Sequence, residues 1–91
     1  MKSINEIIFI DSLNKLDLHG YDRATAHLMI EDFIKENIIL KNEFVVIVHG
    51  IGTGIIKNET INVLKNNKLV KDYKICPYNV GCTIVQINLT K

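Results

Sequence analysis

Two short segments of this chain run into the same dipeptide. Lys15–His19 (KLDLH) leads into Gly20, and Phe44–Val48 (FVVIV) leads into His49-Gly50, so the two His-Gly pairs stand thirty residues apart. That is about the length of one strand–helix unit. Lys15–His19 alternates, with Leu16 and Leu18 on one face and Asp17 and His19 on the other, the period of a strand with one buried side. Phe44–Val48 is an unbroken β-branched and aromatic run. It calls for a central strand, covered on at least one face and shielded at its edges. Between the two, Asp22 is placed to cap a helix. Ala26, Met29, Ile30, Phe33 and Ile34 then recur at helical spacing, which predicts a helix from about Arg23 to Asn37.

After the second His-Gly comes Gly50-Ile51-Gly52-Thr53-Gly54, then a second predicted helix to about Asn66 with Ile56, Thr60, Val63 and Leu64 on one face. Val70–Cys76 and Cys82–Leu89 read as two strands of an antiparallel hairpin around the turn Pro77–Gly81. The order is β-α-β-α-β-β. Right-handed crossovers put both helices on one face of the sheet. The expectation is therefore an α+β fold, a two-layer α/β sandwich with a mixed four-stranded sheet. The other face must be polar or covered. Ile4–Ile10 admits three readings: an edge strand, a short helix, or a segment covering a sheet edge. The expected division is an N-terminal extension over 1–14 and one domain over 15–91.

Ninety-one residues, 47% hydrophobic and 23% charged, suit one globular domain and exclude two independent cores. No apolar run approaches the ~20 residues of a membrane span. Ile7–Ile10 is too short for a signal sequence and lacks a small-residue cleavage site. A cytoplasmic protein is expected. Cys76 and Cys82 are accordingly read as reduced, small apolar residues of the hairpin, although a cross-strand bridge is geometrically conceivable. The net charge of +1 excludes a purely electrostatic, histone-like binder. The charge is uneven: residues 1–45 carry five basic and eight acidic residues, and residues 46–91 six lysines against two acids.

Both histidines of the repeated dipeptide fall at the carboxyl ends of neighbouring parallel strands, the edge where open α/β sheets bind ligands. Asp17 and His19, two apart on a strand, point the same way. Such a pair can orient a water, hold a divalent ion, or act as a base with its orienting partner. His49 can join them from the next strand. The bland alternative, with Asp17 capping a backbone group and His19 packing on a turn, weighs about equally. Gly50, Gly52, Thr53 and Gly54 can bring backbone amides to the positive end of a helix, an anion site within reach of Lys57. This is neither a Walker A loop nor a GxGxxG fingerprint, since no Gly-Lys-Ser/Thr follows and position 55 is isoleucine. His27 lies off the apolar stripe and reads as a surface residue. Tyr78 stands at the hairpin tip, but Tyr73, Tyr78 and Phe44 form no base-stacking motif.

Taken together, Leu16-Asp17-Leu18-His19-Gly20, Val46–Gly54 (VIVHGIGTG) and Gly81-Cys82-Thr83-Ile84-Val85 resemble the Smr domain, the small MutS-related module, over about residues 15–89. The resemblance implies a sandwich like the C-terminal domain of bacterial translation initiation factor three. It also implies nucleic-acid binding and, in many members, nicking of DNA or cleavage of RNA. Asp17 and His19 match the family's DLH motif, linked to cleavage; His49, Gly50, Gly52, Thr53 and Gly54 match its glycine loop, linked to substrate binding. Lys57 stands where the family often has a basic residue. Ile51 departs from the Lys or Arg that members often carry after the second His-Gly.

The expected function is a nucleic-acid-binding Smr domain with endonuclease activity, acting as a monomer or weak dimer without membrane contact. In that reading Asp17 and His19 position or deprotonate a water, directly or through magnesium or manganese, and His49 holds the phosphate or protonates the leaving oxygen. Two other classes stay open. One is a binding module without chemistry, which Ile51 and the small net charge favour. The other is a protein–protein adaptor.

Overall fold

A computed structural model describes residues 3–7 and 10–89. Its elements are a short 3-10 turn at Ile4–Glu6, then β1 (Asn14–Asp17), α1 (Arg23–Ile39), β2 (Phe44–Val48), α2 (Ile55–Asn66), β3 (Val70–Cys76) and β4 (Asn79–Ile87). The sheet order is β1-β2-β4-β3. β1 runs parallel to β2, while β4 is antiparallel to both β2 and β3. This is the expected mixed sheet, with both helices packed on one face. Among the described residues no helix is long and apolar enough to cross a membrane.

β2 explains its own apolarity. Val45 and Ile47 face the helices, where they pack with Ala26, Ile30 and Ile34 of α1, Val63 and Leu64 of α2, and Val85 and Ile87 of β4. Val46 faces the other way, into a second cluster with Ile4, Ile7, Cys76, Cys82 and Ile84. The N-terminal segment therefore covers the sheet's open face rather than an edge, with Ile10 and Leu13 packed against the same cluster. Residues 8 and 9 of the ambiguous stretch lie outside the described residues. Ser3 and Glu6 fix the turn as a reciprocal cap, each side chain accepting from the other's end of the turn.

Asp22 caps α1 as its position predicts, accepting from the Thr25 amide at 2.8 Å. That hydrogen bond holds its carboxyl below the usual carboxylate range. The stripe contains one polar member that helical spacing alone does not explain. Asn37 is fully buried. It donates to Phe33 O at 2.8 Å and accepts from Asn14 at 2.9 Å and Asn42 at 2.8 Å. It thereby ties the start of β1 and the loop after α1 to the helix. The helix runs on to Ile39, and Lys41 then takes a left-handed conformation with φ 61°.

Two expectations are corrected. β4 begins at Asn79, not Cys82, because the hairpin turns tightly on Pro77-Tyr78 and pairs Cys76 with Asn79. The register then shifts, so Ile75 pairs with Thr83 and the intervening β4 residues bulge. Second, Cys76 and Cys82 are not reduced but form a disulfide. The bulge brings their Cα atoms to 5.6 Å, and both side chains lie buried under Ile4 and Ile7. His27 lies at the surface as read, and it is also paired. Its Nδ1–H donates to Glu59 of α2 at 2.7 Å, and its Nε2 lies 3.4 Å from Glu31, so it bridges the two helices.

The hydrogen bond to Glu59 raises the His27 pKa above its ordinary 6.5. A histidine with a raised folded value stabilises fully below its unfolded value and loses that contribution as pH climbs through the folded one. Urea midpoints should accordingly fall as pH rises from the ordinary 6.5 through the raised folded value, and His27→Gln should flatten that slope. Closing so short a loop by a disulfide contributes about 2 kcal/mol. Urea titration with and without dithiothreitol should show a loss of that order, and the unreduced protein should show no thiol reactive to alkylation.

Candidate functional site

The carboxyl edge of β1 and β2 gathers the residues singled out from the sequence. Asp17 is the last residue of β1, and its register partner is Val48, the last of β2. Leu18 extends the pairing by one bond, its amide donating to Val48 O at 2.9 Å. Leu18 is buried, while Asp17 and His19 are both exposed. One Asp17 carboxylate oxygen accepts from the His19 amide at 2.9 Å. Asp17 thus does cap a backbone group, and that bond fixes how His19 leaves the strand. Gly20 then turns the chain toward α1 with φ 83°.

Asp17, His19, Val48, His49 and Gly50 line a cavity of about 220 Å³. Beside it lies a second, of about 380 Å³, walled by His19, Gly20 and Tyr21 on one side and the loop from His49 to Lys57 on the other. His19, His49 and Gly50 belong to both, so the two form one groove along the strand ends.

The second wall is backbone. Gly54 caps α2 at φ 87° and brings no side chain to the cap. The first helical bond is Asn58 N to Gly54 O at 2.9 Å. The amides of Ile55, Ile56 and Lys57 therefore precede any i→i−4 partner and sit at the positive end of the helix dipole. Lys57 lines the same cavity. The loop's other end is pinned by β4: the Gly81 carbonyl accepts from both the His49 amide, at 3.0 Å, and the Gly50 amide, at 2.8 Å. A Cβ at 81 would lie 3.1 Å from Asn79 Oδ1, a tight contact with a side-chain atom, and at an ordinary contact distance of 3.5 Å from Gly50 Cα.

His49 is 7% exposed, and both its ring nitrogens have partners. The Gly50 carbonyl, 2.9 Å from Nδ1, can only accept, so Nδ1 carries the proton. Nε2 then accepts from the Thr83 hydroxyl at 2.8 Å. Burial pushes the His49 pKa below the ordinary 6.5; the bond to Gly50 opposes this, and the Lys57 charge adds to it. His49 is neutral near pH 7 and turned inward, unlike His19.

Residue patterns alone miss several residues that line this groove or support its loop. Thr83 carries a signal of a kind, as the hydroxyl in an otherwise apolar stretch, Cys82–Val85. Gly81 contributes a carbonyl, which no residue type announces. Tyr21 and Ile55 line the larger cavity, and the sequence offers no chemical reason to choose them. Among the described residues, no group of three or more His, Cys, Asp or Glu side chains is placed to hold a metal ion.

The comparisons with known proteins fall on this same stretch of chain. The Smr domain family matches residues 16–88. Endonuclease MutS2 of Streptococcus suis (strain 05ZYH33) is 38% identical over 74 residues, covering 78% of this chain and 10% of the relative. Endonuclease MutS2 of Lacticaseibacillus casei (strain BL23) is 41% identical over 68 residues, covering 72% of this chain and 8% of the relative. The chain thus spans about a tenth of the length of these relatives. Among solved structures, the Smr domain of Thermus thermophilus MutS2 superposes with a TM-score of 0.80 at 26% identity, covering 82% of this chain and 98% of that one. YdaL of Escherichia coli, a stand-alone small MutS-related protein, shares the fold with a TM-score of 0.76 at 20% identity, covering 80% of this chain and 63% of that one. On the family match over residues 16–88, with the shared fold beside it, this chain belongs to the Smr domain family.

Proposed function

We propose that the groove binds nucleic acid and cleaves its phosphodiester backbone. The observation that carries this reading is the meeting of Asp17 and His19 with the glycine loop and Lys57 along one strand edge. An acid–base pair and an anion cradle then face the same groove, the minimum for phosphoryl chemistry. Membership of a family whose relatives include proteins named endonuclease MutS2 supports it.

In the proposed mechanism the phosphate rests on the amides at the start of α2, with Lys57 countering its charge. His19 is exposed at the end of an edge strand and free to turn toward the attacking oxygen. Its imidazole takes the proton of a water, or of an RNA 2′-hydroxyl, as the new P–O bond forms and the bond to the leaving oxygen breaks. The leaving oxygen takes its proton from solvent, which the open groove admits. Asp17 sets the position of His19 through the bond to its amide. His49 moves no proton: it is neutral, and its two bonds hold Gly50 and Thr83 in place around the loop. This departs from the sequence expectation of His49 as phosphate ligand or acid.

A second reading, binding without chemistry, is favoured by Ile51. It stands 66% exposed at the mouth of the loop and supplies no charge.

The deciding assay incubates the protein with structured RNA and with supercoiled DNA, in Mg²⁺, in Mn²⁺ and in EDTA. His19→Ala should lose at least roughly 10²-fold in cleavage rate with an unchanged circular dichroism spectrum, and Asp17→Asn should lose less. His19→Ala cutting at the wild-type rate would overturn the mechanism. Retained binding with no cutting by the wild type would establish the second reading, and the EDTA lane reports whether a divalent ion takes part.

A further inference from the structure

The larger cavity has a composition that phosphate binding does not explain. Tyr21, Ile51 and Ile55 all line it, and they are 45%, 66% and 56% exposed. Lys57 is the one Lys or Arg among the residues that line it. A groove built to track a duplex backbone neutralises several phosphates with several cations. This one offers an anion one lysine and a set of amides, and its lining also holds an aromatic ring and two exposed branched aliphatic side chains. Its volume of about 380 Å³ is in the range of small-ligand sites.

We propose that this wall is a base-binding subsite and that the groove takes an unpaired nucleotide in preference to a duplex. The inference rests on the nucleic-acid reading above and extends it to the class of substrate. Tyr21 offers its ring face to one base, and Ile51 and Ile55 form the apolar wall opposite. The neighbouring phosphate lies on the amides of α2 beside Lys57. In a duplex the faces of the bases are stacked on one another and cannot meet Tyr21. A single strand, a loop or a frayed end presents them freely. Affinity that comes from stacking tolerates the small net charge of +1, which affinity drawn from the backbone alone does not. Ribose and deoxyribose strands share this chemistry, a base face next to a phosphodiester, so the subsite does not itself separate RNA from DNA.

Tyr21 is exposed, so removing its ring leaves the core intact. The test is fluorescence anisotropy with labelled oligonucleotides of one sequence: single-stranded RNA, single-stranded DNA, and the duplex of each. The proteins are the wild type, Tyr21→Phe and Tyr21→Ala. The wild type should bind one or both single strands roughly ten-fold more tightly than the corresponding duplex, one stacked base sufficing for that margin. Tyr21→Ala should lose the margin, binding single strands no more tightly than the duplex, and Tyr21→Phe should keep it. The two single-stranded arms report whether the sugar matters. Duplex bound as tightly as single strand, or Tyr21→Ala binding single strands like the wild type, overturns the subsite and leaves the nucleic-acid reading standing. No binding to any of the four overturns that reading and the subsite with it.

Discussion

The burial of β2 on both faces is the constraint on which the rest of the domain depends. Val45, Val46 and Ile47 are fully buried, two of them under the helices and one under the N-terminal segment. A strand buried in this way must lie inside the sheet, and β1 and β4 flank it. The helical layer then follows from the crossovers on either side of β2. Covering the opposite face falls to the capped turn at Ile4–Glu6, which seals the end where Cys76 and Cys82 meet. In so small a domain each cluster holds few side chains, so fixing the hairpin by a covalent link matters more than it would in a larger core.

The groove inherits its shape from the same strand. β2 ends at Val48, and the next two amides, of His49 and Gly50, do not run free but converge on a single carbonyl, that of Gly81. The hairpin bulge that places this carbonyl is the one that brings the cysteines together. Loop, bulge and disulfide are therefore mechanically one unit. Gly81 sits between the two cysteines in sequence and touches the glycine loop in space. The loop wall of the groove is thus held by backbone and a neutral imidazole, and side-chain charge plays a small part in it.

Local pattern made much of this legible in the sequence, and the exceptions share a cause. The strands at Phe44–Val48 and Val70–Cys76, the cap at Asp22 and the glycine loop all declare themselves within a few residues. What stayed hidden depends on pairing across long separations. Thr83 meets His49 across 34 residues, and Glu59 meets His27 across 32. Neither threonine nor glutamate announces a partner when read alone. Asn37 was masked because it occupies a position of the apolar stripe and pays its desolvation through three hydrogen bonds made at the helix end. The cysteines were misjudged on the expected compartment, where the register of the hairpin was the stronger guide.

The repeated His-Gly pair shows how far such an echo extends. Both histidines lie just past the ends of parallel strands and precede helices, yet one is exposed and the other buried. The sheet order accounts for the divergence. β2 has β4 on its far side, so a side chain leaving its end meets Thr83 and the Gly81 turn, and His49 is drawn into them. β1 is an edge strand with no neighbour beyond it among the described residues, so His19 meets no such wall and stays open to the groove. A histidine whose two nitrogens are satisfied within the fold makes a stiff support and a poor proton carrier; an exposed one set at a fixed exit from its strand is the reverse. The same dipeptide therefore serves as scaffold on the inner strand, and leaves its imidazole exposed only on the outer one.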